Sequence, residues 1–538
     1  MGFFILLRKV TRFGPWPATA GRGIGVPPSD PGPEAGERTD LFLIYPPWAV
    51  LEDRAMLQNC LPPLGLLSVA AHAESSGYRV HVMDVHAERA DEQQLRERLR
   101  RHRPRFVGMT VLTNMCLPAH KIARICKEEV PDCVVVAGGV HAEALPERML
   151  RNSAIDCVVR GDGEKAMIEI MTGSAFSTIL GLSYVDAGSV QHNAPRPVNM
   201  DLDEFPFPAY HLVNFANYFP AVGTYRNLPA INMLMTRGCP GRCTFCNSAR
   251  TTLRARDPKL VVKQIKLLRQ DYGIRQITFY DDTFTVLKPV CLKFCELLAA
   301  ENLGLTWVAY VRGDCFSEEM ALAMKKAGCH QVLLGIETGS EKIAKRIGKP
   351  IDKERYRDAV RIAHDHGMEV RGSFILGNMD ETWETMKETL EFAIEIDIDI
   401  FQPTISTPYP GSALYKEAVD RGLLKNKNWY EYGQGTVLVD QPQITDEEIY
   451  RFERYAFRRF YLRPRAIYRL ARRITRFRHV RDYVLSAVIL LFGLHRRQDK
   501  RNWECWKGLT EEDFFDREIK EPEHVRLTYE LRQENVFV

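Results

Sequence analysis

From Asp40 onward, short apolar runs rich in β-branched residues alternate with stretches whose apolar positions recur three and four apart. The runs 41–45, 80–85, 106–112, 134–137 and 157–159 read as strands, with helices predicted over 64–75, 92–101, 119–129 and 146–151. Strand–helix repetition of this kind predicts a parallel sheet covered on both faces. The rhythm returns over 228–433, where it fits a partial β/α barrel whose chemistry belongs at the C-terminal mouth of the strands. The expected fold class is therefore α/β: a Rossmann-like domain over 39–175, a linker with a small β segment over 176–227, the barrel over 228–433 and a helical region over 434–538.

Composition changes this picture at the two ends. Residues 14–36 hold six glycines and six prolines in 23 positions, so 1–38 reads as a flexible leader. The net charge of the chain is only +4, but twelve arginines and two acids between 451 and 482 give that stretch +10 and leave about −6 elsewhere. Bulk charge thus gives no reason to expect nucleic acid. Within the basic stretch, Ile467, Leu470, Ile474, Phe477 and Val480 are spaced three and four apart, an amphipathic pattern that suits either a helix packed on the barrel or peripheral membrane contact through 451–497. No run reaches the roughly 18 apolar residues that a membrane span needs. Thirteen cysteines in a chain of this length point to a reducing, cytoplasmic compartment rather than a secreted disulfide scaffold.

Three of those cysteines carry the chemistry. Cys239, Cys243 and Cys246 stand in a C-x3-C-x2-C loop just after the first strand of the barrel. Three thiolates from one loop can hold three irons of a [4Fe–4S] cube and leave the fourth iron without a protein ligand. Zinc is the rival, yet it usually takes four ligands and no second Cys or His pair has matching spacing. Cys291 and Cys295 also stand four apart, but inside an apolar helical run where buried thiols are expected. In the first domain the loops after the strands, where open sheets bind ligands, include Thr110-Val-Leu-Thr-Asn114, Ala137-Gly-Gly-Val-His-Ala-Glu143 and Arg160-Gly-Asp-Gly-Glu164. The dinucleotide fingerprint G-x-G-x-x-G is missing after the first strand. A planar ligand approached by Gly138 and Gly139 is one reading, and a ligand-free flavodoxin-like domain whose glycines only turn the chain is the other.

The cysteine loop, with Phe245 before its third cysteine, resembles that of the radical SAM superfamily, and the segment 39–169 resembles the cobalamin-binding domain that precedes the barrel in one branch of it. Matching positions include Pro62-Pro-Leu-Gly65, Thr110 to Leu112, Gly138 and Gly139 with His141, and Gly161-Asp-Gly-Glu164. The resemblance implies three cofactors: a [4Fe–4S] cluster on Cys239, Cys243 and Cys246, S-adenosylmethionine (SAM), and cobalamin. It places Glu337 and Gly377 beside SAM and sets Thr110, Gly138, Gly139 and His141 toward the corrin. Arg312, by the two-pronged hydrogen bonding of its guanidinium, is a candidate partner for the SAM carboxylate, the alternative being a buried ion pair with Asp281 and Asp282. The D-x-H-x-x-G loop that supplies a lower axial histidine in many cobalamin proteins is absent after the first strand; Asp84-Val-His86 imitates it after the second, without the glycine, and is read as incidental. Gly377-Asn-Met-Asp-Glu381 also departs from the Gly-Leu-Pro-Gly-Glu form of relatives.

The activity implied is methylation of an unactivated carbon of a lipid-like or natural-product substrate through a 5′-deoxyadenosyl radical, with an electron supplied by a flavodoxin or ferredoxin. A ring-forming or rearranging enzyme of the hopanoid or tetrapyrrole type is the alternative, and a non-catalytic cobalamin sensor is a third reading. The Phe-Tyr-Leu-Arg-Pro element at 460–464 is similar to tails of members acting on hopanoids or on magnesium-protoporphyrin ester, both largely apolar.

Overall fold

The computed structural model describes residues 38–48, 59–151, 153–425, 428–433, 435–473, 504–506 and 509. The expected leader and most of the amphipathic stretch, including Ile474, Phe477 and Val480, lie outside the described residues. The first sheet has seven strands: β1 (Leu41–Tyr45), β2 (Val80–Asp84), β3 (Phe106–Thr110), β4 (Val134–Gly138), β5 (Cys157–Val159), β6 (Leu182–Asp186) and β7 (Ser189–His192). Their order is β2-β1-β3-β4-β5-β6-β7. The first five run parallel, and helices Leu64–Ser75 and Cys116–Glu129 help to cover the two faces. The parallel sheet is as expected, but β6 and β7 extend it antiparallel from the stretch read as a linker. Two short strands cannot form a stable sheet of their own; pairing β6 onto β5 satisfies its backbone and buries Leu182 in the core.

The helix expected from Ala119 begins at Cys116, with Pro118 in its first turn, where its missing N–H is not needed. The β2 run ends at Asp84, whose carboxylate accepts the Ala87 N–H at 2.8 Å and opens a one-turn helix, Val85–Glu88. Helix formation thus takes over where the apolar pattern alone would continue the strand.

The barrel sheet follows: β8 (Ala230–Met233), then the short pair β9 (Thr236–Arg237) and β10 (Arg254–Ala255), then β11 (Gln276–Phe279), β12 (Thr306–Val311), β13 (Cys329–Glu337), β14 (Glu369–Leu376) and β15 (Ile400–Ile405). Six of these form one parallel sheet in the order β15-β14-β13-β12-β11-β8, while β9 and β10 pair antiparallel beside it. Alternate residues face the helices and the lumen. Val370, Phe374 and Leu376 of β14 join the helix-side core with Leu390, Phe401 and Phe452, leaving Arg371, Ser373 and Ile375 on the lumen side. Cys291 and Cys295 are buried in the helix Lys288–Glu301, as the apolar pattern predicts.

The chain after the barrel crosses back to the first domain. Tyr415, Trp429, Tyr432 and Leu438 pack in one cluster with Val111, Met115 and Ala142. The helix Asp446–Tyr461 lies on the barrel, with Phe452, Ala456 and Phe460 in the core. It ends before Pro464, which opens a second helix, Pro464–Arg473. Two arginines of that helix are ion-paired to the barrel: Arg465 and Arg469 hold Asp397 at 2.8 and 2.5 Å. Ile467 and Tyr468 are exposed. No helix among the described residues is long and apolar enough to cross a membrane.

Candidate active site

The cysteine loop leaves β9 at the mouth of the barrel, where β/α-barrel enzymes carry their chemistry. Its base is clamped by Asp281, at the exit of β11, which accepts Met235 N–H at 3.1 Å, Thr236 Oγ1 at 2.7 Å and the Thr236 N–H. Burial pushes this carboxyl up to about 7. An ion pair among Asp281, Asp282 and Arg312 is one use the sequence allows; Asp281 instead holds backbone, and Arg312 is paired with Asp314 at 2.7 Å. The loop is further docked by main chain: Thr244 N–H donates to Ile347 at 2.9 Å and the Thr244 carbonyl accepts from Leu414 at 2.8 Å.

Cys239 and Cys243 come together here, and Cys246 is near enough to interact electrostatically with both. The point a β-carbon would occupy on Gly241 is 3.2 Å from Cys239 Sγ, 3.9 Å from Cys243 Sγ and 3.4 Å from Arg312 Nη1. Burial pushes the Cys243 and Cys246 thiols up, Cys246 to about 12, so that binding a metal must displace their protons. No three His, Cys, Asp or Glu side chains among the described residues close on a single ion. A donor set of three thiols without a fourth side chain fits a cube that binds each thiolate at a separate iron, rather than a tetrahedral zinc.

Glu337 ends β13 with φ of 70°, uncommon for a residue with a side chain, beyond a register shift between Gly335 and Glu337. Its carboxylate meets Lys349 Nζ at 2.8 Å, and the same ammonium donates to the Gly335 carbonyl at 2.7 Å. Any side chain at Gly335 would collide with this pair, because its β-carbon would lie 2.7 Å from Glu337 Oε1 and 3.0 Å from Lys349 Nζ. Burial, the largest single influence, would lower the Lys349 ammonium, but Glu337, Tyr356 and Cys243 together outweigh it and raise the pKa. Sequence reasoning missed Lys349, a single lysine twelve residues from its partner with no motif around it. Gly377, expected beside SAM, lies under the chain that follows the barrel, where its carbonyl accepts Gln441 Nε2 at 2.7 Å.

At the first sheet, Thr110, Gly138, Gly139 and His141 are brought together at the ends of β3 and β4. Gly139 has φ of 89° and leaves no room for a side chain, since a β-carbon would sit 2.7 Å from Thr110 Oγ1 and 2.9 Å from Val111 N. The space is taken by the neighbouring loop of the protein. His141 is fully buried, with Nδ1 3.3 Å from Thr113 Oγ1 and its ring edge-on to Trp429 at 5.0 Å. His141 Nε2 and Trp429 Nε1 are both buried without a hydrogen-bond partner. Two orphaned polar atoms above the strand ends fit a ligand rich in amide groups, as a corrinoid is. His86 is stacked on Trp48, 3.3 Å and 7° apart.

The two domains are tied at this point. Arg237, two residues before Cys239, meets Glu164 at 2.8 Å and Asp162 at 3.4 Å, and Arg254, its partner across the β9–β10 pair, meets Asp162 at 2.7 Å. The acids of the Gly161-Asp-Gly-Glu164 motif therefore hold the hairpin that carries the cysteine loop. Glu164 is 3% exposed, so reversing the charge in Arg237→Glu is expected to cost about 3–5 kcal/mol by stranding the buried Glu164 carboxylate. Adding Glu164→Arg should restore much of that. Thermal unfolding and cobalamin retention across the four-member cycle check both, and additive losses would refute the coupling.

A doubly covered parallel sheet facing a partial barrel, with an iron–sulfur type cysteine loop between them, defines a barrel enzyme that works with bound cofactors. Residues 233–393 match the profile of the radical SAM superfamily, and residues 54–171 that of the B12 binding domain. A methyltransferase of Pyrococcus horikoshii, otherwise uncharacterized, is 36% identical over 435 residues, covering 79% of this chain and 93% of that protein. The anaerobic magnesium-protoporphyrin IX monomethyl ester cyclase of Rubrivivax gelatinosus is 27% identical over 418 residues, 74% of this chain and 75% of its own. Among solved structures, the radical SAM methyltransferase TsrM of Kitasatospora setae, with cobalamin and a [4Fe–4S] cluster bound, superposes with a TM-score of 0.59 at 19% identity over 71% of this chain and 75% of that one. The chain belongs to the radical SAM superfamily, in the branch that carries a B12-binding domain. It is an enzyme of that class, and its cofactors are a [4Fe–4S] cluster, SAM and cobalamin.

Proposed function

We propose that this enzyme transfers a methyl group to an unactivated carbon of a largely apolar, lipid-like or natural-product substrate held in the barrel lumen. The cofactors, when bound, supply the electron, the radical that removes hydrogen and the methyl group. Cys239, Cys243 and Cys246 hold the cluster, Glu337 and Arg312 orient SAM, and Lys349 fixes Glu337. Thr110, Gly138, Gly139 and His141 shape the floor beneath the corrinoid, with Trp429 against His141. A flavodoxin or ferredoxin is the expected electron donor, and the exposed Ile467 and Tyr468 suit peripheral contact with a membrane that holds the substrate.

The observation that carries this reading is the tie between Arg237 and the acids Asp162 and Glu164, which keeps the cysteine loop against the strand ends of the B12-binding domain. Val308, Leu333, Ile375 and Ile400 face the lumen and support an apolar substrate. The test is anaerobic incubation of reduced holoenzyme with methyl-deuterated SAM, followed by mass analysis of the cobalamin. Deuterated methylcobalamin together with 5′-deoxyadenosine is expected; 5′-deoxyadenosine without label on cobalamin would favour the ring-forming reading suggested by the cyclase relative.

A further inference from the structure

Arg371 brings a guanidinium to the lumen face of the barrel. It lies on β14 in register with Leu333 of β13 and Ile400 of β15, and Tyr310 of β12 pairs with Leu333 in turn. Arg371 therefore shares one layer of the lumen with Tyr310, and with Tyr280, which follows Phe279 at the end of β11. The rings of Tyr280 and Tyr310 are 5.3 Å apart, and the Arg371 guanidinium acts on both phenols.

Among the described residues the guanidinium has no hydrogen-bond or ion-pair partner. Arg371 is 9% exposed, its Nε is buried without a partner, and it makes no hydrogen bond or ion pair among the described residues. The acid on the same strand face, Glu369, is engaged by Gln331 Nε2 at 3.2 Å and by Arg226 at 3.7 Å. Burial keeps both phenols protonated and neutral, so neither supplies a negative charge. One layer nearer the mouth, Gln402, in register with Ser373, also leaves its amide oxygen buried and unpartnered. Buried arginines are almost always paired, because an isolated charge in a low-dielectric interior is costly. An orphan guanidinium with two hydroxyls and an amide around it is a preformed socket for an oxyanion.

We propose that Arg371, with Tyr280 and Tyr310, binds a carboxylate or phosphoryl group at one end of the substrate. The substrate is then an amphiphile whose anionic group points down the lumen while its apolar body extends past Leu333 and Ile375 toward the cysteine loop. Four residues of β13 separate the Leu333 layer from Glu337, about 13 Å of strand rise, so the reacting carbon is well removed from the acid. This inference rests on the proposal that the lumen holds the substrate, and it narrows that substrate from merely apolar to acidic at one end.

Calorimetric titration of the anaerobic holoenzyme with octanoate, octyl phosphate and 1-octanol tests it. At least one acid is expected to bind about tenfold or more tightly than the alcohol, and whichever acid is tighter distinguishes carboxylate from phosphoryl. Arg371→Gln and Arg371→Met should each reduce that acid to the level of octanol while leaving iron content and SAM affinity unchanged; Arg371→Lys should retain part of the preference. Failure of both acids to bind, or a preference that survives in the glutamine and methionine variants, would overturn the proposal. The methyl-label experiment does not involve Arg371, so the methyl-transfer reading can fail while anion binding stands, and the reverse.

Discussion

Replacing Cys243 with alanine is expected to lower 5′-deoxyadenosine formation by more than about a hundredfold, since changes even outside the metal's ligand set commonly cost 10–100-fold. Cys239 and Cys243 sulfurs flank the same point beside Gly241, and removing one would leave a cube with only two protein thiolates to hold it. Iron content after anaerobic reconstitution should fall with activity. The fold should survive, because the loop is held by the main-chain bonds of Thr244 to Ile347 and Leu414, which the substitution does not touch. Cys295→Ala is the matched control: that thiol is buried in a helix away from the loop, so the variant should lose some stability and keep its iron. Full iron content in Cys243→Ala would remove the basis of the cluster assignment.

Lys349→Met should be among the most damaging single changes outside the cysteines. Glu337 is 8% exposed, and losing its partner leaves a buried carboxylate, for which about 3–5 kcal/mol is the usual cost. The double variant Glu337→Gln with Lys349→Met removes both charges and should regain most of that stability. It should not regain SAM affinity, because Glu337 is the carboxylate expected to face SAM. Chemical denaturation of the apoprotein and equilibrium SAM binding to the reconstituted enzyme separate the two effects. Recovery of both stability and affinity in the double variant would make the pair merely structural.

Much of the fold was legible in the sequence. The alternation of strand and helix located β1 to β5 and the barrel because each element is specified by a local period of apolar residues. The two antiparallel strands of the first sheet were not legible as part of it, since their exposed, mixed sequences acquire meaning only beside β5. In the basic stretch, Arg465 and Arg469 are engaged with Asp397 on the barrel, a partner that no helical pattern can reveal.

By itself the sequence determined the cysteine loop, because three thiols within eight residues are close whatever the rest of the chain does. It likewise determined the parallel α/β character of both halves. Only tertiary structure decided what the charged residues are for. Arg237 and Glu164 are 73 positions apart, and Lys349 reaches Glu337 only because a register shift and a glycine clear the space between them. Arg371 looks in sequence like any strand residue. Its lack of a partner among the described residues is a property of the lumen, where every neighbouring layer must be known before a charge can be said to be unanswered.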